Sequence, residues 1–114
     1  MLPEAKNESR QSIGCSRSFY LILYLTLTGD LAFRNCNGLT SISIPDSVSV
    51  INPDTFAYCS NLTSISIPNS ITGIGWGAFR GCKSLENIII PQSVVLYIGE
   101  SAFGDCSSLT SVII

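Results

Sequence analysis

"NGLTSISIPDS" occupies residues 37–47 and "SNLTSISIPNS" occupies residues 60–70, so the chain nearly repeats itself after 23 positions. The flanking residues keep the same interval, or one residue more, in columns of Phe, Cys, Leu, Ile and Pro. The columns are Phe33, Phe56, Phe79 and Phe103; Cys36, Cys59, Cys82 and Cys106; Leu39, Leu62, Leu85 and Leu109; Ile42, Ile65, Ile88 and Val112; Ile44, Ile67, Ile90 and Ile114; Pro45, Pro68 and Pro91. Such a period is typical of a solenoid, in which each unit buries its apolar side against the next.

Each unit contains one short predicted strand. A single Ser separates Ile42 from Ile44, so both side chains point to the same face of the strand. Pro45 ends the strand because it lacks the N–H that a continuing ladder would use. Stacked units should therefore form a parallel sheet with strands about 4.8 Å apart.

The other half of the unit is predicted to return the chain by turns. Phe33, Cys36 and Leu39 are three residues apart, a spacing typical of one face of a short 3₁₀ or helical turn. Gly75 and Gly99 are expected to permit a tight backbone turn. The predicted fold class is an α/β solenoid, with a short parallel sheet on one face and turns, 3₁₀ or short helical segments on the other.

The segment "IPNSITGIGWGAFRGCKSLENIIIP", residues 67–91, resembles one unit of the leucine-rich repeat proteins, with Ile in place of several Leu. More narrowly, it is similar to the BspA-like, Treponema-type surface-antigen subclass. The resemblance covers residues 31–114. It departs from the subclass pattern at Asn52, where Gly is usual, at Pro53, and at one extra residue around Leu96 and Tyr97.

We divide the chain into a flexible N-terminal tail over residues 1–18 and a repeat array over residues 19–114. The array has a degenerate first repeat over residues 19–38 and repeats of 23 or 24 residues after it, the last of which is truncated. The apolar run "FYLILYLTLT", residues 19–28, is shorter than the roughly 20 residues needed to span a bilayer. It alternates at period two, which favours an edge repeat, with a secretory signal segment as the alternative.

The cysteine column predicts a ladder of structural thiols at Cys36, Cys59, Cys82 and Cys106. Buried free cysteine behaves as a small apolar side chain. A metal site needs converging ligands, whereas stacked repeats place side chains in parallel rows. Disulfides or a metal site remain the less favoured alternatives.

The composition argues against several classes of function. Charged residues make up 12% of the chain, Lys and Arg total six, and the net charge is −2, which disfavours nucleic-acid binding. His is absent, and with it the commonest catalytic base. We therefore predict no enzyme activity, no catalytic residues, no cofactor and no metal.

The outward-facing residues of the predicted strands offer a flat, mostly uncharged surface, which we predict to be a contact face for other proteins. These candidate contact residues are Thr40, Ser41, Ser43, Thr63, Ser64, Ser66, Glu86, Asn87, Ile89, Thr110, Ser111 and Ile113. The resemblance implies a non-enzymatic protein-binding module of a cell-surface or secreted adhesin that engages host or matrix proteins, with a cytoplasmic location left open.

Two other functions remain as alternatives: a structural spacer that carries another domain, and an ice-binding sheet. Ice binding would use a regular rank of Thr side chains, and Glu86 interrupts the column formed by Thr40, Thr63 and Thr110. The chain stops at Ile114, inside a unit, which predicts either a longer array or self-association through an open C-terminal edge. We expect no insertion into a membrane.

Overall fold

The computed structural model describes residues 33–114, so the predictions for the tail, for residues 19–32 and for Cys15 lie outside the described residues. Seven short strands follow one another along the chain: β1 (Ser41–Ser43), β2 (Val50–Ile51), β3 (Ser64–Ser66), β4 (Gly73–Ile74), β5 (Asn87–Ile89), β6 (Tyr97–Ile98) and β7 (Ser111–Ile113). Every strand pair is parallel. The described part of the chain is therefore a stack of repeats, as predicted.

The register between strands follows the repeat interval. Ile42 is opposite Ile65 in the pair β1–β3, an offset of 23 residues. Ile88 is opposite Val112 in the pair β5–β7, an offset of 24. The extra residue of the third interval is absorbed just before β6, where Val95 and Leu96 are 74% and 66% exposed.

Stacked aromatic rings form the centre of the core. The ring centroids of Phe33, Phe56, Phe79 and Phe103 are separated by 5.5, 5.4 and 5.4 Å along the stack. The first three rings are fully buried, and the first three members of the neighbouring Cys and Leu columns are buried with them. Each repeat thus covers the apolar side of the one before it, which is what makes short units stable together.

Of the turns, 3₁₀ or short helical segments predicted for the return half, residues 33–114 contain the turns and no helix. Single turns do occur, since the amide of Cys36 donates to the carbonyl of Phe33 and the amide of Leu39 donates to the carbonyl of Cys36. The first of these turns contains a residue in the left-handed backbone region, namely Asn35 with φ 64°. One such residue interrupts a right-handed helix after a single turn.

The return half instead carries a second parallel sheet, in the order β2-β4-β6, which we call the return sheet. Gly75 and Gly99 follow its strands β4 and β6, and neither has a positive φ. A Cβ on Gly99 would overlap the backbone of Trp76, and one on Gly75 would lie 2.6 Å from the nitrogen of Pro53. These glycines therefore allow close approach between repeats, and the predicted tight turn is not their role.

Candidate interaction surface

Strands β1, β3, β5 and β7 form the outward surface on which the candidate contact residues lie. In β1 the burial pattern alternates exposed, buried, exposed, because Ile42 points into the core and the two Ser side chains point out. All twelve candidate contact residues are exposed. We call this surface, defined by those twelve residues, the strand face.

Threonine side chains reinforce the hydrogen-bond ladder at the start of the strand face. The backbone N–H and the Oγ1 of Thr63 both donate to the carbonyl oxygen of Thr40, at 2.9 and 3.1 Å. Thr110 makes the same pair of bonds to the carbonyl oxygen of Glu86, at 2.9 and 3.3 Å. Thr63 and Thr110 thus each fasten their repeat to the preceding one by two donors.

The ladder is interrupted between β3 and β5. The strand-face strands pair only as β1–β3 and β5–β7 within the described residues. Glu86 occupies the position of Thr63 and Thr110 but has no hydroxyl to donate. No backbone hydrogen bond joins Glu86 to Thr63 there, although Thr63 and Thr110 both make the equivalent bond.

The C-terminal ends of β3 and β5 also lack a connecting hydrogen bond. Ile44 donates to the carbonyl of Ser66, and Ile90 donates to the carbonyl of Ile113. The equivalent bond from Ile67 to Ile89 is missing among the backbone bonds of residues 33–114. Within the described residues, β3 and β5 are therefore neither paired nor joined by the flanking backbone hydrogen bonds, although their repeats remain stacked.

This separation creates a groove across the strand face. Its volume is about 350 Å³, and its lining residues are Ser64, Ile65, Ser66, Ile67, Asn87, Ile88 and Ile89. Ile65 and Ile67 are half-buried, whereas Ile42 and Ile44, their equivalents in the preceding repeat, are buried. The groove combines an apolar floor with hydroxyl and amide groups at its rim, a mixture that suits contact with a polypeptide.

Apolar side chains flank the groove toward the C-terminal end of the stack. Ile89 is 63% exposed and Ile113 is 55% exposed, side by side on β5 and β7. The strand face therefore changes from hydroxyl side chains on β1 and β3 to an apolar patch on β5 and β7. Exposed patches of this kind mark surfaces that bind other proteins.

The cysteine column is structural at three of its four positions. Cys59, Cys82 and Cys106 are free thiols. Their sulfurs donate to the carbonyls of Phe33, Phe56 and Phe79 at 3.2, 3.2 and 3.1 Å. Each thiol thus links its repeat to the preceding one.

Burial keeps these thiols protonated. It raises the pKa of Cys59 to about 12, and a backbone hydrogen bond at Cys36 opposes that rise. Burial also raises the pKa of Cys82, with a further contribution from the thiols of Cys59 and Cys106. A reactive cysteine needs a lowered pKa, so these three are unsuited to nucleophilic chemistry.

Cys36 differs from the rest of the column. It takes part in a disulfide bond, so the predicted ladder of four free thiols is wrong at its first position.

The described residues offer no grouping for metal chemistry. No three of their Cys, Asp or Glu side chains lie close enough together to hold an ion. Residues 33–114 also contain no helix with the length and apolar character that crossing a bilayer requires. The described residues form a parallel stack of repeats with an exposed strand face.

Comparison with known proteins agrees with this geometry. Residues 26–114 match the family model of the BspA-type leucine-rich repeat region, which comprises six copies of the repeat. The chain belongs to the BspA-type leucine-rich repeat family. Among curated proteins there is no significant match.

Solved bacterial leucine-rich repeat proteins share the fold. A leucine-rich cell surface protein from Faecalibacterium prausnitzii is 36% identical with a TM-score of 0.67, over 71% of this chain and 21% of that one. A leucine-rich repeat protein from Bacteroides capillosus is 33% identical with a TM-score of 0.67, over 75% and 59% of the two chains. The leucine-rich repeat protein of T. pallidum is 30% identical with a TM-score of 0.58, over 75% and 50%.

The BspA-type chain therefore spans between about a fifth and three fifths of the length of these relatives. Sequence reasoning identified the outward residues of its strands, but it missed the groove between β3 and β5. The available signal was Glu86 in a column otherwise occupied by Thr. The loss of a hydroxyl donor at this position predicts a weaker ladder.

Proposed function

We propose that this chain is a non-enzymatic protein-binding module of a bacterial cell-surface or secreted adhesin, and that it binds through the strand face. The observation that carries the proposal is the groove between β3 and β5, lined by an isoleucine floor and a Ser and Asn rim. Leucine-rich repeat domains typically mediate protein interactions, and one of the relatives above is a cell surface protein.

The groove supplies the two elements that a protein contact needs. The exposed Ile89 and the half-buried Ile65 can take apolar side chains of a partner out of water. Ser64, Ser66 and Asn87 can donate and accept hydrogen bonds around them. The resemblance to the BspA-like subclass makes host or matrix proteins the expected partners.

Surface plasmon resonance against immobilised collagen, laminin and fibronectin tests this role. Ser66→Arg and Ile89→Arg place a bulky charge in the groove, and both residues are exposed, so the fold should be retained. We expect at least a tenfold loss of affinity for the protein that the unmodified chain binds. Ser49→Arg is the matched control, because Ser49 is exposed and lies outside the strand face.

Two outcomes would contradict the proposal. Equal affinity of the groove variants and the control would place the contact elsewhere on the stack. Absence of binding by the unmodified chain to every immobilised protein would favour the alternative role of a structural spacer.

A further inference from the structure

The basic residues of the described chain are concentrated at one place outside the strand face. Arg34, Arg80 and Lys83 are the three Lys or Arg residues after Phe33, and none of them forms an ion pair within the described part. Lys83 lines an open groove of about 400 Å³ together with Tyr58, Gly81, Asp105 and Ser107. We call it the tyrosine groove.

Tyr58 lies beside two of the three cations and lines the same groove as the third. The guanidinium carbon of Arg34 lies 5.2 Å from the centre of its ring, and that of Arg80 lies 5.8 Å from it. Both distances are within the range of a cation–π contact. An arginine held by its flat face keeps the N–H donors at its edge available for an anion.

The backbone at Tyr58 provides an independent observation. Tyr58 has φ 63°, and the equivalent residues Asn35, Gly81 and Asp105 have φ 64°, 73° and 57°. Asn, Gly and Asp tolerate this left-handed conformation, whereas a bulky Tyr is a steric outlier there. Strained residues of this type cluster at functional sites.

Gly81 makes room for the groove. Its repeat carries no side chain at the position that Tyr58 and Asp105 occupy in the neighbouring repeats, and a Cβ there would collide with the Tyr58 ring. The ring consequently lies over Gly81 and forms one wall of the tyrosine groove, and Asp105 forms the other wall. The Nε of Arg34 is buried beside this ring without a hydrogen-bond acceptor, so a donor remains unsatisfied.

We propose that the tyrosine groove binds an acidic saccharide. Lys83 lines the groove, and Arg80 lies beside the Tyr58 ring that forms its wall. Both bind the carboxylate or sulfate of the sugar by charge-assisted hydrogen bonds. Asp105 and Ser107 hydrogen-bond the sugar hydroxyls. Asp105 and Ser107 favour an acidic sugar over an acidic peptide, because both can hydrogen-bond the sugar hydroxyl groups, which a polyglutamate side chain lacks.

Isothermal titration calorimetry of the full chain tests this site with four probes. They are trigalacturonate, a heparin-derived tetrasaccharide, neutral maltotriose and a hexaglutamate peptide. We expect binding of one or both acidic saccharides, with the first two probes distinguishing carboxylate from sulfate as the anion. Maltotriose and hexaglutamate should bind at least tenfold more weakly.

Two sets of variants separate recognition from general electrostatic attraction. Arg80→Gln combined with Lys83→Gln should weaken saccharide binding at least tenfold. Asp105→Asn should weaken it about threefold or more, and Asn suits the left-handed backbone at this position. Asp46→Asn removes the same charge from an exposed turn outside the groove and should leave the affinity unchanged.

Three results would overturn the proposal. They are tighter binding by Asp105→Asn, hexaglutamate binding as tightly as the saccharides, and no binding of either acidic saccharide. Tighter binding by Asp105→Asn and Asp46→Asn alike would show attraction by net charge alone. Circular dichroism and urea midpoints of each variant confirm that the stack is intact.

Discussion

The return sheet and the strand face are built from the same repeats, yet one is continuous and the other is interrupted. In the return sheet, β2 pairs with β4 and β4 pairs with β6. On the strand face, no pairing joins β3 to β5 within the described residues. The common period thus brings the repeats together, and single residues within a column decide whether the ladder closes.

The first prediction compares an Ile→Ala substitution in the return sheet with the same substitution in the strand face. Ile74 in β4 is fully buried, whereas Ile65 in β3 is half-buried beside the groove. Ile74→Ala should lower the free energy of unfolding by about 3–4 kcal/mol, and Ile65→Ala by about 1–2 kcal/mol, because the loosened side loses fewer contacts. Urea denaturation measures both, and equal losses would contradict the distinction between the two sides.

The second prediction concerns the close contact of repeats beside the return sheet. Gly99→Ala should cost about 3 kcal/mol, because the added methyl group overlaps the backbone of Trp76, which cannot move without shifting its repeat. Gly104→Ala is the control, since its nearest neighbour would be the carbonyl oxygen of Ser101 at 3.3 Å. Thermal denaturation that ranks the two variants equally would refute the close approach.

The third prediction concerns pH. An unfolded Cys59 loses its proton near the ordinary pKa of 9.0, whereas folding raises that pKa to about 12. Stability from this group is therefore complete below pH 9 and is lost as pH rises toward 12, by roughly 1 kcal/mol at pH 10. Urea midpoints between pH 8 and pH 10.5 should fall for the unmodified chain and fall less for Cys59→Ala.

The fourth prediction restores hydrogen bonding between β3 and β5 on the strand face. Glu86→Thr restores the hydroxyl and should raise the free energy of unfolding by about 1 kcal/mol through bonds to the Thr63 carbonyl. Glu86→Val is the matched control, because it has the same shape and charge as the Thr variant but no hydroxyl. An equal gain from both would mean that the hydroxyl does not control the interruption.

The columns explain why much of the fold could be predicted. A strict interval fixes which residues are neighbours, so the pairing of Ile42 with Ile65 and the exposure of Ser41 and Ser43 follow from the sequence. The return sheet did not follow, because strands of two residues such as Val50–Ile51 are too short to show alternation. The left-handed backbone at Tyr58 gave no signal either, since Tyr is not a residue that favours it.

Amide hydrogen exchange followed by NMR tests most directly the claim that, within residues 33–114, the strand-face ladder opens only between β3 and β5. Thr63 and Thr110 serve as internal references for Glu86, and Ile44 and Ile90 serve for Ile67, because each occupies the same column. We predict slow exchange at the four reference amides and fast exchange at Glu86 and Ile67. Protection of Glu86 and Ile67 equal to that of their references would show a closed ladder and contradict the account.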